Sequence, residues 1–302
     1  VTLGDGIGIR VATNSVVQSC TVSSFGARGI AAGNGCVITD CISYSNGSAG
    51  IAAENNVVME RCTTRGNGGF GFVAGNGAVF QRCVAADNSG EISGGFEFGA
   101  MSSLTACIAR NNTGPGFTSV FLAAGSTLDA CTAAGNTSFG FNVEDDSTLR
   151  GCVASGGDST GFLLGRGSRA TDCTSSDNTG DGFALTSHCI VTGSTARSNG
   201  RYGFFAGVFA IAPKLFRCTA ALNDDHGIAI DAKGFDISEC IAAENLGSGF
   251  NISWQSARGR LASCHVYDDI YLLGNPSSNF FGPVDQAGTA LQGNNPYINT
   301  LW

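Results

Sequence analysis

Three consecutive residues, Asp224, Asp225 and His226, carry the side chains best suited to chemistry in this chain of 302 residues. Two carboxylates beside an imidazole supply the proton donors and acceptors that cleavage of a glycosidic bond requires. Arg201 lies 23 residues before Asp224 and would add a positive charge to the same site. The alternative is that residues 224–226 form a solvated turn with no catalytic role.

Cysteine recurs at a nearly constant spacing and reveals the elements that would position these residues. Eleven of the 13 cysteines follow one another at 21, 22 or 24 residues, with one interval of 45 that holds Ser194 at the missing position. Repeats of this length are typical of a solenoid, in which every repeat forms one coil and stacks on its neighbours. The series is Cys20, Cys41, Cys62, Cys83, Cys107, Cys131, Cys152, Cys173, Cys218, Cys240 and Cys264.

Two further series recur in the same register. Glycine followed by isoleucine or phenylalanine comes nine residues after most of these cysteines, as in Gly50-Ile51 and Gly71-Phe72. Asparagine stands five residues after the cysteine in most repeats, from Asn46 to Asn245, and Asp269 holds the equivalent place near the end. Asparagine tolerates left-handed turn geometry, and its amide can bond to backbone and to the next asparagine. We therefore expect an asparagine ladder that occupies left-handed turns.

These patterns predict an all-β fold, a single-stranded right-handed parallel β-helix of about 12 coils of 21–24 residues. Within one coil, Val57 and Met59 point to the inside while Glu60 and Arg61 fall outside, which is the period-two alternation of a strand. We assign residues 1–269 to the β-helix. Residues 270–302 leave the repeat and form an irregular aromatic segment, which either caps its own chain or docks on a neighbouring molecule.

The cysteine ladder is expected to consist of free, buried thiols. Equivalent Cβ atoms on stacked coils lie about 4.8 Å apart, whereas a disulfide requires about 3.8 Å. Metal binding is the weaker alternative because no CxxC spacing occurs, so we predict neither a metal site nor a cofactor. Cys36 and Cys189 stand five residues before ladder positions and are expected to fill an adjacent strand.

The repeats resemble those of right-handed β-helices of the pectate-lyase-like superfamily. The resemblance rests on the coil Gly33-Asn34-Gly35-Cys36-Val37-Ile38-Thr39-Asp40-Cys41 and on Gly282-Pro283-Val284-Asp285, followed by Asn295-Pro296-Tyr297. It covers nearly the whole chain and is strongest to exported bacterial proteins such as those of planctomycetes. The resemblance implies the fold more than a function, because this fold hosts lyases, hydrolases, epimerases, adhesins and fibres.

Departures from the repeat predict contact surfaces. Three coils carry three extra residues between the glycine and the cysteine, at 116–131, 203–218 and 249–264. These insertions either bulge outward as an apolar contact surface or fold back against their own coils. The predicted interface consists of the bulge residues Val120, Phe121, Leu122, Val208, Phe209, Ile211 and Trp254, together with Phe280, Phe281, Tyr297 and Trp302 of the tail.

The composition argues against two kinds of partner, nucleic acid and a membrane interior, and leaves a structural and a polysaccharide-related function open. A net charge of −8 with only two lysines argues against nucleic acid, and no apolar run is long enough to span a membrane. We expect an extracellular or cell-surface protein whose signal peptide has been removed. The sparse catalytic residues favour a structural protein that self-associates end to end or laterally, such as a filament subunit. The alternative is a polysaccharide lyase, a glycoside hydrolase or a carbohydrate-binding module.

Overall fold

Short parallel strands make up all regular structure in the described part of the chain. The computed structural model describes residues 6–91, 93–253, 258–268, 270–272, 280–281 and 284–286. Their strands have two or three residues each and stack in parallel sheets. The predicted right-handed parallel β-helix of about 12 coils is confirmed, and its strands form three sheets. Across these ranges no helix is long and apolar enough to cross a bilayer.

The chain divides into two compact units. Unit 1 comprises residues 1–148 and 152–158, and unit 2 comprises residues 149–151 and 159–302. Each coil contributes one strand to each of three sheets. We name them sheet A, whose strands follow the repeated glycine, sheet B, whose strands precede the ladder cysteine, and sheet C, whose strands follow it.

Unit 1 holds seven strands of sheet A, six of sheet B and seven of sheet C. Sheet A contains Ile9–Val11, Ile30–Ala32, Ile51–Ala53, Phe72–Ala74, Phe96–Phe98, Phe117–Ser119 and Phe141–Val143. Sheet B contains Val16–Gln18, Val37–Thr39, Val58–Glu60, Val79–Gln81, Ser103–Thr105 and Thr127–Asp129. Sheet C contains Thr21–Ser23, Ile42–Tyr44, Thr63–Arg65, Val84–Ala86, Ile108–Arg110, Thr132–Ala134 and Val153–Ser155. A further strand is Thr148–Arg150.

Unit 2 repeats the arrangement with six described strands in each sheet. Sheet A contains Phe162–Leu164, Phe183–Leu185, Phe204–Ala206, Ile228–Ile230, Phe250–Ile252 and Ile270–Leu272. Sheet B contains Arg169–Thr171, Ile190–Thr192, Lys214–Phe216, Asp236–Ser238, Arg260–Ala262 and Phe280–Phe281. Sheet C contains Thr174–Ser176, Thr195–Arg197, Thr219–Ala221, Ile241–Ala243, Cys264–Val266 and Val284–Gln286.

The last three of these strands lie beyond residue 269, where the sequence pattern places the end of the β-helix. They pair in parallel with the preceding coil, with Phe250 opposite Ile270, Arg260 opposite Phe280 and Cys264 opposite Val284. The repeat is hard to recognise there because the spacing of glycine, cysteine and asparagine is lost. Tyr297 and Trp302 lie outside the described residues.

A column of phenylalanines forms the core behind sheet A. In unit 1 the rings of Phe72, Phe96, Phe117 and Phe141 are parallel, with successive centroids 4.8–4.9 Å apart. In unit 2, Phe162, Phe183 and Phe204 stack at 4.6 and 4.9 Å. All seven side chains are fully buried. In-register pairing places the same side chain one strand spacing above its equivalent, which is the distance at which aromatic rings stack.

The glycine before each sheet A strand lets sheet C approach closely. A Cβ atom on Gly71 would lie 2.8 Å from the Ala85 Cβ and 2.9 Å from the Asn88 amide nitrogen. Real Cβ atoms do not come so close to their neighbours, so any side chain at this position would push the coil apart.

The asparagine ladder is confirmed, but the expected backbone geometry is wrong. The backbone N–H and the amide nitrogen of Asn67 both donate to the Asn88 Oδ1, at 3.2 and 3.0 Å. Positive φ occurs at the residue before the ladder position, as in Ser45 (53°) and Asp87 (54°). This left-handed residue turns the following asparagine side chain into the coil, where its amide is buried.

The ladder ends one residue earlier than expected. Asp268 continues it, because the Asp268 Oδ2 accepts hydrogen bonds from the Asn245 backbone (3.1 Å) and amide (2.8 Å). Asp269 itself lies outside the described residues. The last coil thus has one residue fewer between Cys264 and the ladder position. A carboxylate can end such a ladder because the last side chain only has to accept hydrogen bonds from the asparagine of the preceding coil.

All 13 cysteines are free, and every one except Cys20 is buried, as predicted. The Cys62 Sγ lies 3.4 Å from the backbone carbonyl oxygens of Ile38 and of Glu60, either of which can accept its proton. The hydrogen bond with Cys62, together with burial, raises the pKa of the Cys41 thiol. Cys36 and Cys189 directly precede sheet B strands. The ladder therefore acts as a column of small apolar side chains.

Candidate functional site

One position in the coil gathers polar and aromatic side chains in unit 2. This position directly precedes the glycine before sheet A, and in four successive coils it is occupied by Asp181, Tyr202, His226 and Ser248. Because equivalent positions of neighbouring coils stack in register, these side chains form one column beside the outer face of sheet A.

Two of the predicted catalytic residues, one of them in this column, lie close together. The His226 Nε2 lies 3.5 Å from the Asp225 Oδ1. Both side chains are partly accessible, whereas Asp224 is exposed to solvent. Asp225 therefore lies next to His226. Asp224 lies in a solvated turn, which is the alternative to a catalytic role given for residues 224–226 above.

Arg201 lies on the preceding coil, as expected, but its guanidinium has other partners. The Asp225 N–H donates to the Arg201 carbonyl at 3.3 Å, which establishes the one-coil offset. The guanidinium forms an ion pair with Asp181 at 3.5 Å and lies 5.0 Å from the centre of the Tyr202 ring. Arg201 thus orders Asp181 and Tyr202.

Burial changes the ionisation of two members of the cluster. Desolvation raises the pKa of Asp181, although the Arg201 charge and the Tyr202 N–H oppose it and the Asp225 charge adds to it. Desolvation lowers the pKa of His226 below its ordinary value of 6.5, against the opposing effect of Asp225. The His226 ring is therefore neutral at neutral pH.

Both nitrogens of His226 are occupied by the protein. The Ser248 N–H donates to the Nδ1 atom at 2.8 Å, so the neutral ring carries its proton on Nε2. The Nε2 proton faces the Asp225 Oδ1 at 3.5 Å, and the Asn251 side chain packs against the same ring atom. A ring held in this way has no free lone pair with which to take a proton from a ligand.

Aromatic rings extend from this column onto sheet A. Tyr202 stacks on His226, with centroids 5.7 Å apart and planes 7° apart, and on Phe205, at 5.1 Å and 29°. Phe205 points outward from the strand Phe204–Ala206 and is half-buried. It also lines a cavity of about 350 Å³, together with Val208, Phe209 and Asp231. The cluster and the cavity therefore form one surface.

The apolar bulges project into solvent. Phe121 is 82% exposed and Leu122 76% exposed in unit 1, while Phe209 is 93% exposed in unit 2. Val120, Val208 and Ile211 are exposed as well. The bulge side chains of the insertions at 116–131 and 203–218 therefore do not fold back against their coils, and their role as an interface remains a prediction. Trp254 lies outside the described residues.

Sequence reasoning overlooked Asp181, Tyr202 and Phe205. Asp181 and Tyr202 share the place of His226 in their own coils, directly before Gly182 and Gly203. An alignment of the repeats by this glycine would have revealed the column. Within the described ranges, no three His, Cys, Asp or Glu side chains are grouped so that they could hold a metal ion.

Comparisons with known proteins agree with this architecture. The family model of the right-handed β-helix region matches residues 2–120 and 91–207. No curated protein matches the chain in sequence.

Several solved structures share the fold at low identity. The A-module of the mannuronan C-5 epimerase AlgE4 of Azotobacter vinelandii is 12% identical, with a TM-score of 0.60 over 96% of this chain and 90% of that one. The periplasmic alginate epimerase AlgG is 11% identical, with a TM-score of 0.59 over 86% and 77%. Tailspike protein 3 of bacteriophage CBA120 is 12% identical, with a TM-score of 0.64 over 96% of this chain and 56% of that one. At such identities the likeness shows the fold alone.

Proposed function

Since the chain belongs to the right-handed β-helix family, we propose that unit 2 binds a neutral, hydroxyl-rich polysaccharide across the outer face of sheet A. The observation that carries this proposal is the stacked pair of Tyr202 and Phe205, which joins a polar cluster to an apolar cavity of about 350 Å³. Sugar rings have an apolar face that packs on aromatic rings and hydroxyls that bond to nearby polar groups.

The charges around the platform favour a neutral glycan. Asp225 beside His226 and Asp231 in the cavity with Phe205 are both partly exposed, and both can accept hydrogen bonds from hydroxyl groups. The Arg201 charge is already engaged by Asp181. A carboxylated glycan would meet uncompensated carboxylates here, which costs free energy.

Binding, rather than catalysis, fits the state of His226. Both of its nitrogens have protein partners, so the ring belongs to the platform and does not exchange protons with a ligand. The two epimerases among the fold relatives act on polysaccharides according to their names, which supports a glycan as the ligand class. As part of the same proposal, we place the protein at the cell surface or outside the cell, where such glycans occur.

Tyr202→Ala and Phe205→Ala are each expected to weaken polysaccharide binding about tenfold or more, because burying an aromatic side chain contributes roughly 1.5–3 kcal/mol. Affinity electrophoresis against a panel of neutral polysaccharides measures the effect. Tyr44→Ala is the matched control, since the Arg65 guanidinium lies 4.9 Å from the Tyr44 ring centre, much as Arg201 lies over Tyr202. Equal retardation of the wild type and both platform variants on every gel would exclude the proposal.

The same samples separate binding from catalysis. Reducing ends are measured after incubation of the wild type and of Asp181→Asn with each retained polysaccharide. Release by the wild type that Asp181→Asn abolishes would replace the binding module with a hydrolase that uses the buried Asp181 as its acid. An unchanged polymer agrees with binding alone.

Self-association is a second proposal, and the exposed bulges favour it. Phe121 and Leu122 in unit 1 and Phe209 in unit 2 are exposed apolar side chains that self-association would remove from water. If they hold copies together, sedimentation velocity at rising concentration will show larger species that Phe121→Ser combined with Phe209→Ser removes. A wild type that remains monomeric throughout would rule out both lateral and end-to-end assembly of this chain.

A further inference from the structure

His226 holds a backbone group of the next coil through a lone pair that it keeps only while it is neutral. The Ser248 N–H donates to the His226 Nδ1 atom at 2.8 Å, and the two residues have the same position in successive coils. Asp181 has the corresponding role two coils earlier, where its Oδ1 accepts from the Tyr202 N–H at 3.4 Å. A protonated carboxyl group still has lone pairs with which to accept, whereas a protonated imidazole has none. Of these two links between coils, only the one through His226 is lost on protonation.

The turn that contains Ser248 packs closely on the edge of the His226 ring. A Cβ atom on Gly247 would lie 2.5 Å from the Nδ1 atom, so the backbone of this turn lies against the ring edge. The Gly247 N–H also donates to the Asp225 carbonyl at 3.0 Å. A proton added to Nδ1 would face the Ser248 N–H, donor against donor, in a space too tight for the ring to turn in place. Protonation therefore moves either the ring or the turn.

Movement of the ring would reach the aromatic platform. The Tyr202 ring contacts both His226 and Phe205, with centroid distances of 5.7 and 5.1 Å. Without the His226 contact, Tyr202 can adopt other rotamers, and ordering it again costs conformational entropy when a ligand binds. The state of His226 is therefore coupled to the affinity of the platform.

Asp225 is the charged side chain that lies against the ring. Its Oδ1 atom is 3.5 Å from Nε2 and favours the protonated form. Arg201 and Asp181, on the two preceding coils, form an ion pair with each other. Asp224 on the same turn and Glu244 before the following turn are exposed, so water and salt screen their charges. Asn251, on the following strand of sheet A, is uncharged.

Burial outweighs the attraction of Asp225. Desolvation lowers the pKa of His226, although Asp225 opposes it. In the unfolded chain the histidine has its ordinary pKa of about 6.5, so the unfolded chain binds the proton first as the pH falls. The stability that the closed ring and turn contribute is therefore fully present above about pH 6.5 and is lost as the pH falls towards the lower pKa of the folded ring.

We propose that His226 is a pH-sensitive latch between two coils of unit 2, whose protonation releases the turn at Ser248, frees the Tyr202 ring and weakens binding of the polysaccharide in acid. The effect on binding rests on the function proposed for unit 2, whereas the release of the turn does not. Because only a proton and hydrogen bonds are exchanged, the latch closes again when the pH returns to neutral.

Amide hydrogen exchange measured by NMR from about pH 8 to about pH 4 tests the latch. The protection of the Ser248 amide, corrected for the intrinsic pH dependence of exchange, is expected to fall about tenfold in acid, as for the loss of one hydrogen bond. The Asn223 amide is the control in the same two coils, because it donates to the Asn245 Oδ1 at 3.1 Å and this acceptor does not titrate. His226→Asn keeps an acceptor near the place of Nδ1 that does not titrate, so this variant should show constant protection of Ser248.

Isothermal titration calorimetry with a neutral polysaccharide that the gels retain measures the effect on binding. The wild type is expected to bind about tenfold more weakly at the acidic end of the range, whereas the affinity of His226→Asn should be the same at both ends. Circular dichroism at the lowest pH confirms that a lost affinity does not reflect a lost fold.

Constant protection of Ser248 in the wild type, or an equal loss of protection in His226→Asn, would overturn the latch. A constant affinity while Ser248 loses protection would overturn its control of binding. If no polysaccharide is bound at any pH, the function proposed for unit 2 fails, and the exchange profile of Ser248 still decides whether the turn is released.

Discussion

Phe96→Ala is expected to lower the free energy of unfolding by about 3–5 kcal/mol, the usual cost of removing a buried phenylalanine ring. Phe96 is fully buried and stacks on Phe72 at 4.8 Å and on Phe117 at 4.9 Å. It also meets the edge of Phe80 at 5.6 Å. The alanine would leave a cavity that the surrounding strands cannot close, because hydrogen bonds between coils hold them at a fixed spacing.

Urea unfolding followed by circular dichroism measures this loss, and hydrogen exchange of the strands Phe72–Ala74 and Phe117–Ser119 locates it. Phe121→Ala is the matched control, since Phe121 is the same residue type in the same unit but is 82% exposed. Its substitution is expected to change stability by no more than about 0.5 kcal/mol. Similar unfolding midpoints for the two variants would mean that the ring column does not stabilise unit 1.

The columns of the fold could be predicted because stacking turns a repeat in sequence into a repeat in space. Cys62 and Cys83 are 21 residues apart, and their burial follows from that spacing alone. The same holds for Asn67 and Asn88, whose mutual hydrogen bond the spacing predicts. Every coil repeats the environment of the last, so one physical argument covers all of them.

Details within a coil were harder to predict because several residues can meet the same requirement. The left-handed turn needs only one residue of positive φ, and the chain uses Ser45 or Asp87 there instead of the neighbouring asparagine. The ladder needs only an acceptor at its end, and Asp268 supplies it one residue before the position that the spacing predicts. The sequence alone does not show which of several suitable neighbouring residues fills such a role.

The candidate site was predicted in part for the same reason. Asp225 and His226 are adjacent in sequence, so their proximity follows directly. The contact of Tyr202 with His226 and the ion pair of Arg201 with Asp181 depend on which face of the turn each side chain occupies. The spacing of repeats determines which coils are neighbours, but packing selects the rotamers that bring these groups together.

Asn112→Asp is expected to destabilise unit 1 by about 3–5 kcal/mol at neutral pH, as for an uncompensated buried charge. Asn112 is fully buried, and its Oδ1 accepts from the Asn88 backbone (3.1 Å) and amide (2.9 Å). Its amide nitrogen donates to the Ala85 carbonyl at 3.1 Å and to the Asn136 Oδ1 at 2.9 Å. A carboxylate at this position can still accept the two hydrogen bonds from Asn88. Its second oxygen, however, faces the Ala85 carbonyl and the Asn136 Oδ1, which are both acceptors.

The destabilisation by Asn112→Asp should depend on pH. Burial and the two facing oxygens raise the pKa of the introduced carboxyl in the folded state above the ordinary value of about 3.9. Below that value the group is protonated in both states and the loss of stability is smallest. As pH rises, the unfolded chain ionises first, so stability falls until the folded pKa is passed. Urea unfolding midpoints at several pH values measure this slope.

Asn76→Asp provides the control for that slope. Asn76 is exposed, and its Oδ1 accepts from the Ala100 N–H at 2.8 Å, a role that a carboxylate can also fill. Its unfolding midpoints should therefore stay within about 0.5 kcal/mol of the wild type at every pH. Asp268 already shows that a carboxylate suits the end of the buried ladder, where it only accepts. If Asn112→Asp showed the flat profile of Asn76→Asp, the amide donors inside the ladder would not be what holds neighbouring coils together.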